Sequence, residues 1–397
     1  MTPSNLESWA YLSRVIEGPS RHLQEMLRAG RDADEIARGI RTRASWLGPL
    51  AGTTERRYDW DRPAADLETA HEHGYRLLTP EHAGWPSERI EESFVAGALH
   101  SRENMDFAIA DGSAPHTLWV RGATDLAALF AQSVAFVGTR ASSSYGHQAT
   151  QDLVGSVVKQ RYTVVSGGAI GIDTAAHETA LAAGAPTIAV AACGPGVVYP
   201  KRNEKLFRRI VAAGGALVTE YPPGVTPDRH RFLTRNRLVA GLTQGSVVVE
   251  AAFRSGALNT LKWARYYNRQ AMAVPGSILG PNSLGTNLAI RAGNATMVLS
   301  GDQIHEQCGH IGQIDAEGQL EMQFQADPIQ QLSHNELRVF DATPPAASAG
   351  RDAERIAADA GLSTGLTVHL LMELERRGLV QRERRQWSRA VRSKESA

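Results

Sequence analysis

Residues 133–140 read SVAFVGTR and residues 163–173 read TVVSGGAIGID, and this pair of strings decides the fold. Each is a short, unbroken apolar run that stops at glycine or a polar residue. That is the pattern of a strand buried on both faces of a parallel sheet. Thr187–Ala191 before Cys193-Gly194-Pro195-Gly196, Ala216–Thr219 before Glu220, and Ser246–Val249 before Glu250 repeat it. Segments of helical length, Gly146–Lys159 and Asp173–Ala183, separate the runs. Strands and helices alternating at this interval predict an α/β fold, with an open, doubly wound and mostly parallel sheet covered by helices on both sides.

Outward from this core the character of the chain changes twice. Leu6, Trp9, Leu12, Val15 and Ile16, then Leu23, Met26, Leu27, Ile36 and Ile40, fall at helical spacing around a break at Gly18-Pro19. Residues 1–62 are therefore expected to form a small helical domain, and 63–308 the sheet domain. GYRLLTPEHAGWP (74–86) and PHTLWVRG (115–122) look like short strands leading into it. Few apolar residues lie near 311–329, so 309–330 reads as a linker. In 331–397 a helix around Ala353–Ala357, a tight turn at Gly361 and a second apolar-periodic helix precede Gly378-Leu379-Val380. Helix, turn, helix and short strand is a winged-helix pattern.

Among the 397 residues, 42 Lys and Arg balance 42 Asp and Glu. The whole molecule is no polycation, and nucleic-acid affinity requires a local patch. Residues 376–397 are such a patch, with eight basic against two acidic side chains, including Arg382, Arg384, Arg385 and Arg389 around Trp387. They could press a basic wing against duplex phosphates or form a solvated tail beside a partner-binding domain. Two cysteines, Cys193 and Cys308, supply neither a disulfide framework nor a zinc-ligand spacing. No apolar run reaches the roughly 18 residues of a membrane span, and the start MTPSNLESWAYLSRV does not read as a signal peptide. A protein of the reducing cytoplasm, without metal or cofactor, is expected.

Ligands of an open α/β sheet gather at the carboxyl ends of its strands. There lie the loops 138–146 and 166–173, in which Ser166, Gly167, Gly168 and Gly171 could let backbone N–H groups approach a phosphate. Glycine turns of this kind also occur with no ligand at all. The strings match neither GxGxxG nor a P-loop. Arg140 could clamp a phosphate bidentately, or pair with Asp173 or a helix C-terminus. Lys201, Arg202 and Asn203 follow a stackable ring at Tyr199, and Arg229, His230, Arg231, Phe232, Arg235, Asn236 and Arg237 mix cations with an aromatic face. Cations for a backbone and rings for bases are what a single-stranded nucleic-acid site needs. Equally, Arg235 and Arg237 could close ion pairs at a domain seam. Catalytic constellations are poor: His177 has no paired nucleophile, and Glu220 and Glu250 can serve as caps or ion-pair partners as well as acid–base groups.

Taken in order, VGTR (137–140), SGGAIGIDTAAH (166–177), YPKRN (199–203), TEYPPG (219–224), FLTRNRLVAGL (232–242), VVVEA (247–251), SGALNT (255–260), AVPGS (273–277) and GTNLAI (285–290) resemble the DNA-processing protein A (DprA, or Smf) family. The resemblance is dense from about 75 to 305. It implies an extended Rossmann-like domain, often preceded by a helical, SAM-like domain and sometimes followed by a winged helix. It also implies binding of single-stranded DNA, homodimerisation and loading of RecA recombinase during natural transformation. Arg140 and Lys201 match the family's DNA-contacting positions, and Ser166, Gly167, Gly168 and Gly171 lie on its glycine-rich loop. Three positions depart: Ile170 where a cation is common, Gly196 where an aspartate is common, and Asn259 where an apolar residue is usual. Two other readings stand beside it. One is a Rossmann-like nucleotide or nucleoside hydrolase, for which the PGGxGTxxE segment is missing. The other is a winged-helix transcription regulator, which would bind duplex with base preference.

Overall fold

The computed structural model describes residues 3–97, 99, 112–309, 328–329 and 331–390. Nine strands form one sheet: β1 (Tyr75–Leu78), β2 (Leu118–Gly122), β3 (Ser133–Val137), β4 (Thr163–Ser166), β5 (Thr187–Val190), β6 (Ala216–Thr219), β7 (Gly245–Val248), β8 (Gln270–Ala273) and β9 (Thr296–Met297). Their order is β1-β2-β6-β5-β4-β3-β7-β8-β9. From β6 through β9 every pairing is parallel, and β2 joins β1 and β6 antiparallel. This is the doubly wound, mostly parallel sheet that the apolar runs predict.

All five residues of β3 are buried, and alternation explains why the run is continuous. Val134 and Phe136 pack with Leu153 and Val154 of α6 (Ser144–Lys159) and with Ile172 and Ala176 of α7 (Ile172–Ala182). Ala135 and Val137 face the other way, among Leu238 of α9 (Arg229–Gly241) and Leu261 and Trp263 of α10 (Leu258–Tyr266). A strand with helices on both faces has no wet side to mark with polar residues. Between β5 and β6 runs α8 (Glu204–Ala212).

From β3 the chain winds outward through β4, β5 and β6, then returns to lay β7 on the opposite side of β3. The gap between the carboxyl ends of β3 and β7 is the switch point at which open sheets bind ligands.

The N-terminal helices, α1 (Pro3–Ile16), α2 (Arg21–Arg28), α3 (Ala33–Thr42), α4 (Pro49–Thr54) and α5 (Pro63–Glu72), share a core with the sheet edge. Leu12, Val15, Ile36 and Ile40 pack with Leu77 of β1 and Trp119 of β2, whose indole N–H donates to Ser13 Oγ at 3.0 Å. Arg14 holds the buried Asp66 carboxylate with two donors at 2.8 and 2.6 Å. Packing thus runs across residue 62, and the helices and sheet make one compact unit.

A second unit contains α11 (His334–Ala342), α12 (Ala353–Ala360), α13 (Thr364–Arg376) and the hairpin of β10 (Val380–Glu383) with β11 (Gln386–Arg389). Ser333 and Glu336 form a capping box at α11. Phe340, Ile356, Leu371, Leu374 and Trp387 make its core. The proposed linker 309–330 lies outside the described residues except for 309, 328 and 329, as does the tail 391–397. Among the described residues no helix is long and apolar enough to cross a membrane.

Candidate nucleic-acid interface

The loop after β3 is stitched down on both sides. Thr139 N donates to Glu250 O at 2.8 Å, and Thr139 O accepts from Ile172 N at 3.3 Å. Arg140 stands at its end, exposed, with its guanidinium 5.1 Å from the Phe232 ring centroid. It makes no hydrogen bond or ion pair with any described residue; the alternative pairing with Asp173 is not used. Phe232 projects from the first turn of α9, whose N-cap Asp228 accepts from Arg231 N. Its ring also lies 5.4 Å from that of Tyr199, which is exposed.

These groups edge an open cleft of about 890 Å³ between the β3 and β7 loops, at the switch point. Arg140, Arg229, Arg235, Arg254 and Lys262 line it, together with Phe232 and Phe253; among the described residues its one carboxylate is Asp173. Asp173 is buried, and burial holds its carboxyl above the usual range against the opposing pull of Arg235. The cleft is a cationic surface with ring faces.

The sequence profile of DNA recombination-mediator protein A matches residues 103–309. A Mycobacterium tuberculosis protein carrying the name DNA processing protein DprA is 38% identical over 388 residues, covering 98% of this chain and 95% of that protein. The chain belongs to the DNA recombination-mediator protein A family. The DNA processing protein DprA of Streptococcus pneumoniae is 40% identical over 191 residues, 48% of this chain and 66% of that protein. The X-ray structure of DprA from the same organism superposes with a TM-score of 0.60 and 29% identity, covering 76% of this chain and 98% of that one.

In this member of the recombination-mediator family, the residues singled out from sequence divide into three groups. Arg140 lines the cleft with no hydrogen bond or ion pair among the described residues. Lys201 and Arg202 are exposed on the short helix after Tyr199-Pro200, outside the residues that line the cleft. Of the others, Gly167 and Arg235 touch the cleft, whereas Ser166, Gly168, Asn203 and Arg237 are buried. Ser166 Oγ donates to Phe136 O at 2.6 Å, and Asn203 Nδ2 donates to Gly168 O at 3.0 Å and Thr174 Oγ1 at 2.8 Å. Asn203 therefore fastens the Tyr-Pro-Lys turn to the glycine loop.

Two expected phosphate contacts need correction. Arg235 is buried, with its guanidinium donating to Gly167 O at 2.8 Å and to Val190 O. It neutralises carbonyls at the ends of β4 and β5 rather than offering its donors to a ligand. Arg237 is fully buried against Glu220 and does not line the cleft. Arg237 closes an ion pair, as the alternative reading had it, but inside the sheet domain rather than at a domain seam. Both follow from α9 being enclosed on most sides, so that its cations must find internal partners.

The glycines are required by close packing. A Cβ at Gly171 (φ +87°) would sit 2.3 Å from Thr139 O, and one at Gly167 would meet the Arg235 guanidinium at 2.5 Å. The loops 138–146 and 166–173 therefore meet closely because Gly171 has no side chain.

The acid–base candidates have internal roles. Glu250 accepts from Ser143 N at 2.9 Å and Ser143 Oγ at 2.6 Å, fixing the start of α6. His177 is buried; Thr187 Oγ1 gives its hydrogen to Val164 O and so accepts from His177 Nδ1 at 2.8 Å. Burial pushes the His177 pKa down to about 3. In the second unit, Arg382, Arg384 and Arg385 are exposed, whereas Arg389 donates to the carbonyls of Phe340, Asp341 and Thr343 at the end of α11.

Sequence reasoning missed Phe253, Arg254 and Lys262. Their signal was positional: Phe253 and Arg254 follow β7, the other strand of the switch point.

Proposed function

We propose that this protein is a non-catalytic recombination mediator of the cytoplasm that grips single-stranded DNA in the cleft at the β3–β7 switch point. One observation carries the reading: the exposed Arg140 guanidinium makes no hydrogen bond or ion pair with a described residue and stands over Phe232, in a cleft also lined by the exposed Arg229, Arg254 and Lys262. Cations neutralise phosphates and ring faces stack bases, a combination indifferent to sequence. Arg140, Arg229, Arg254 and Lys262 supply the cleft's free charges, with Lys201 and Arg202 extending the path past Tyr199; Gly167, Gly168 and Gly171 keep the loops close enough to share one strand. Membership of the recombination-mediator family supports RecA as the partner onto which the strand is passed, and a homodimer as the working form. The C-terminal unit, read as a winged helix, would add a duplex contact through Arg382, Arg384 and Arg385.

The test is the salt dependence of poly-dT binding. Arg140→Ala combined with Lys201→Ala is expected to weaken binding by about tenfold or more and to flatten the slope of log K against log salt by about 0.7 per lost phosphate contact. A folded double variant with an unchanged isotherm overturns the site. Release of free base from nucleoside monophosphates would overturn the non-catalytic part.

A further inference from the structure

A second cavity, of about 410 Å³, opens on the other side of Gly167, between the sheet and α8. Its floor is one cross-strand row. Ala189 of β5 pairs with Leu217 of β6, Leu217 with Arg121 of β2, and Arg121 with Tyr75 of β1. Directly opposed residues share a face of the sheet, so all four side chains point the same way. Phe207 of α8 forms a wall and Tyr199 the rim nearest the cleft.

Arg121 is the anomaly. A half-buried guanidinium in mid-strand ordinarily has a carboxylate or carbonyl partner. Among the described residues Arg121 has none, although it lies between Leu217 and Tyr75 in the row. Among the described residues the Tyr75 hydroxyl likewise has no hydrogen-bond partner, and burial pushes its pKa up to about 12, so it remains a donor. The cavity therefore offers an apolar slot for a flat ring, and Arg121 with the Tyr75 phenol for an anion; of the two carboxylates in its lining, Glu204 is paired with Arg208 and Glu72 is exposed. It joins the cleft: Gly167 lines both, and Tyr199 on this side touches Phe232 on the other.

We propose that this cavity is a subsite for a single nucleotide, with the base against Leu217 and Phe207 and a phosphate at Arg121. The proposal rests on the cleft reading above for its strand-borne form. The same chemistry could arrive as one unit of the bound strand turned inward past Tyr199, or as a free mononucleotide.

Photocrosslinking of the full-length protein separates these cases. A dT oligonucleotide carrying 5-iodo-deoxyuridine and, separately, 5-iodo-deoxyuridine monophosphate are irradiated with the protein, and adducts are mapped by mass spectrometry. Adducts at Tyr75 or Phe207 from the oligonucleotide are expected, as is a loss of oligonucleotide affinity of about tenfold in Arg121→Gln, equivalent to one charged contact. Adducts there from the monophosphate alone support the subsite with a free ligand. Adducts confined to Phe232 and Phe253, with neither probe labelling Tyr75 or Phe207, overturn the subsite and leave the cleft standing. Failure of the oligonucleotide to bind overturns the cleft, and the subsite with it unless the monophosphate labels Tyr75 or Phe207. Because the mapping uses the unaltered protein, it decides the matter even if Arg121→Gln misfolds.

Discussion

Four arginines on α9 have four fates. Arg229 is exposed at the cleft, Arg231 reaches Glu17 of the N-terminal helices, Arg235 ties down strand ends, and Arg237 is buried on Glu220. Their side chains are chemically identical, so their roles are set by what surrounds each guanidinium. The Arg237–Glu220 pair makes the point measurable. Breaking a buried pair from one side leaves an uncompensated charge, so Arg237→Ala is expected to lose roughly 3–5 kcal/mol of stability. Replacing both partners with apolar residues, Arg237→Met with Glu220→Leu, is expected to recover most of that loss in urea denaturation. Equal stability of the single and double variants would show that the pair is not the source. The sequence could not separate these arginines, since a basic run reads as surface until the helix carrying it is seen to be enclosed.

At the level of elements, the candidate site depends on how two loops meet. The turn into α7 passes Thr139 at van der Waals contact only because Gly171 has no side chain, and its φ of +87° favours glycine. Gly171→Ala is expected to cost on the order of 1–3 kcal/mol. It should also weaken poly-dT binding, because the added methyl pushes against the backbone that carries Arg140. Denaturation and binding measured on the same preparation check this; a stable variant with intact affinity would separate the loop from the site. The glycine loops themselves were legible, as were the strands that end in them, because unbroken apolar runs report burial on both faces. Strands β8 and β9 were not: QAMA is short and its first two residues are not buried, and β9 has two residues.

For the molecule as a whole, the N-terminal helices are part of the folded unit that carries the cleft. Glu17 joins Arg57 of that helical segment to Arg231 of α9, one residue from Phe232. Two buried histidines, His116 and His177, add a pH dependence, since burial pushes both pKa values to about 3. In the unfolded chain each binds a proton below about pH 6.5, while the native state does not until near 3. The unfolded state thus holds more protons across that window, and stability should fall as pH drops through it, by up to about 1.4 kcal/mol per pH unit for each histidine. His177→Gln should make the fall shallower in denaturant titrations between pH 7.5 and 5; an unchanged slope would assign the acid sensitivity elsewhere. What the sequence determined by itself was the alternation of strands and helices, the glycine turns and the cation at Arg140, because local burial and turn conformation leave their mark on neighbouring residues. Only the tertiary structure decided that Arg235 and Arg237 serve the interior, that Arg254 and Lys262 join Arg140, and that Arg121 lines a cavity with no ion-pair partner among the described residues. Those outcomes depend on partners far away in the chain, and a charge is neutralised by what folding brings beside it.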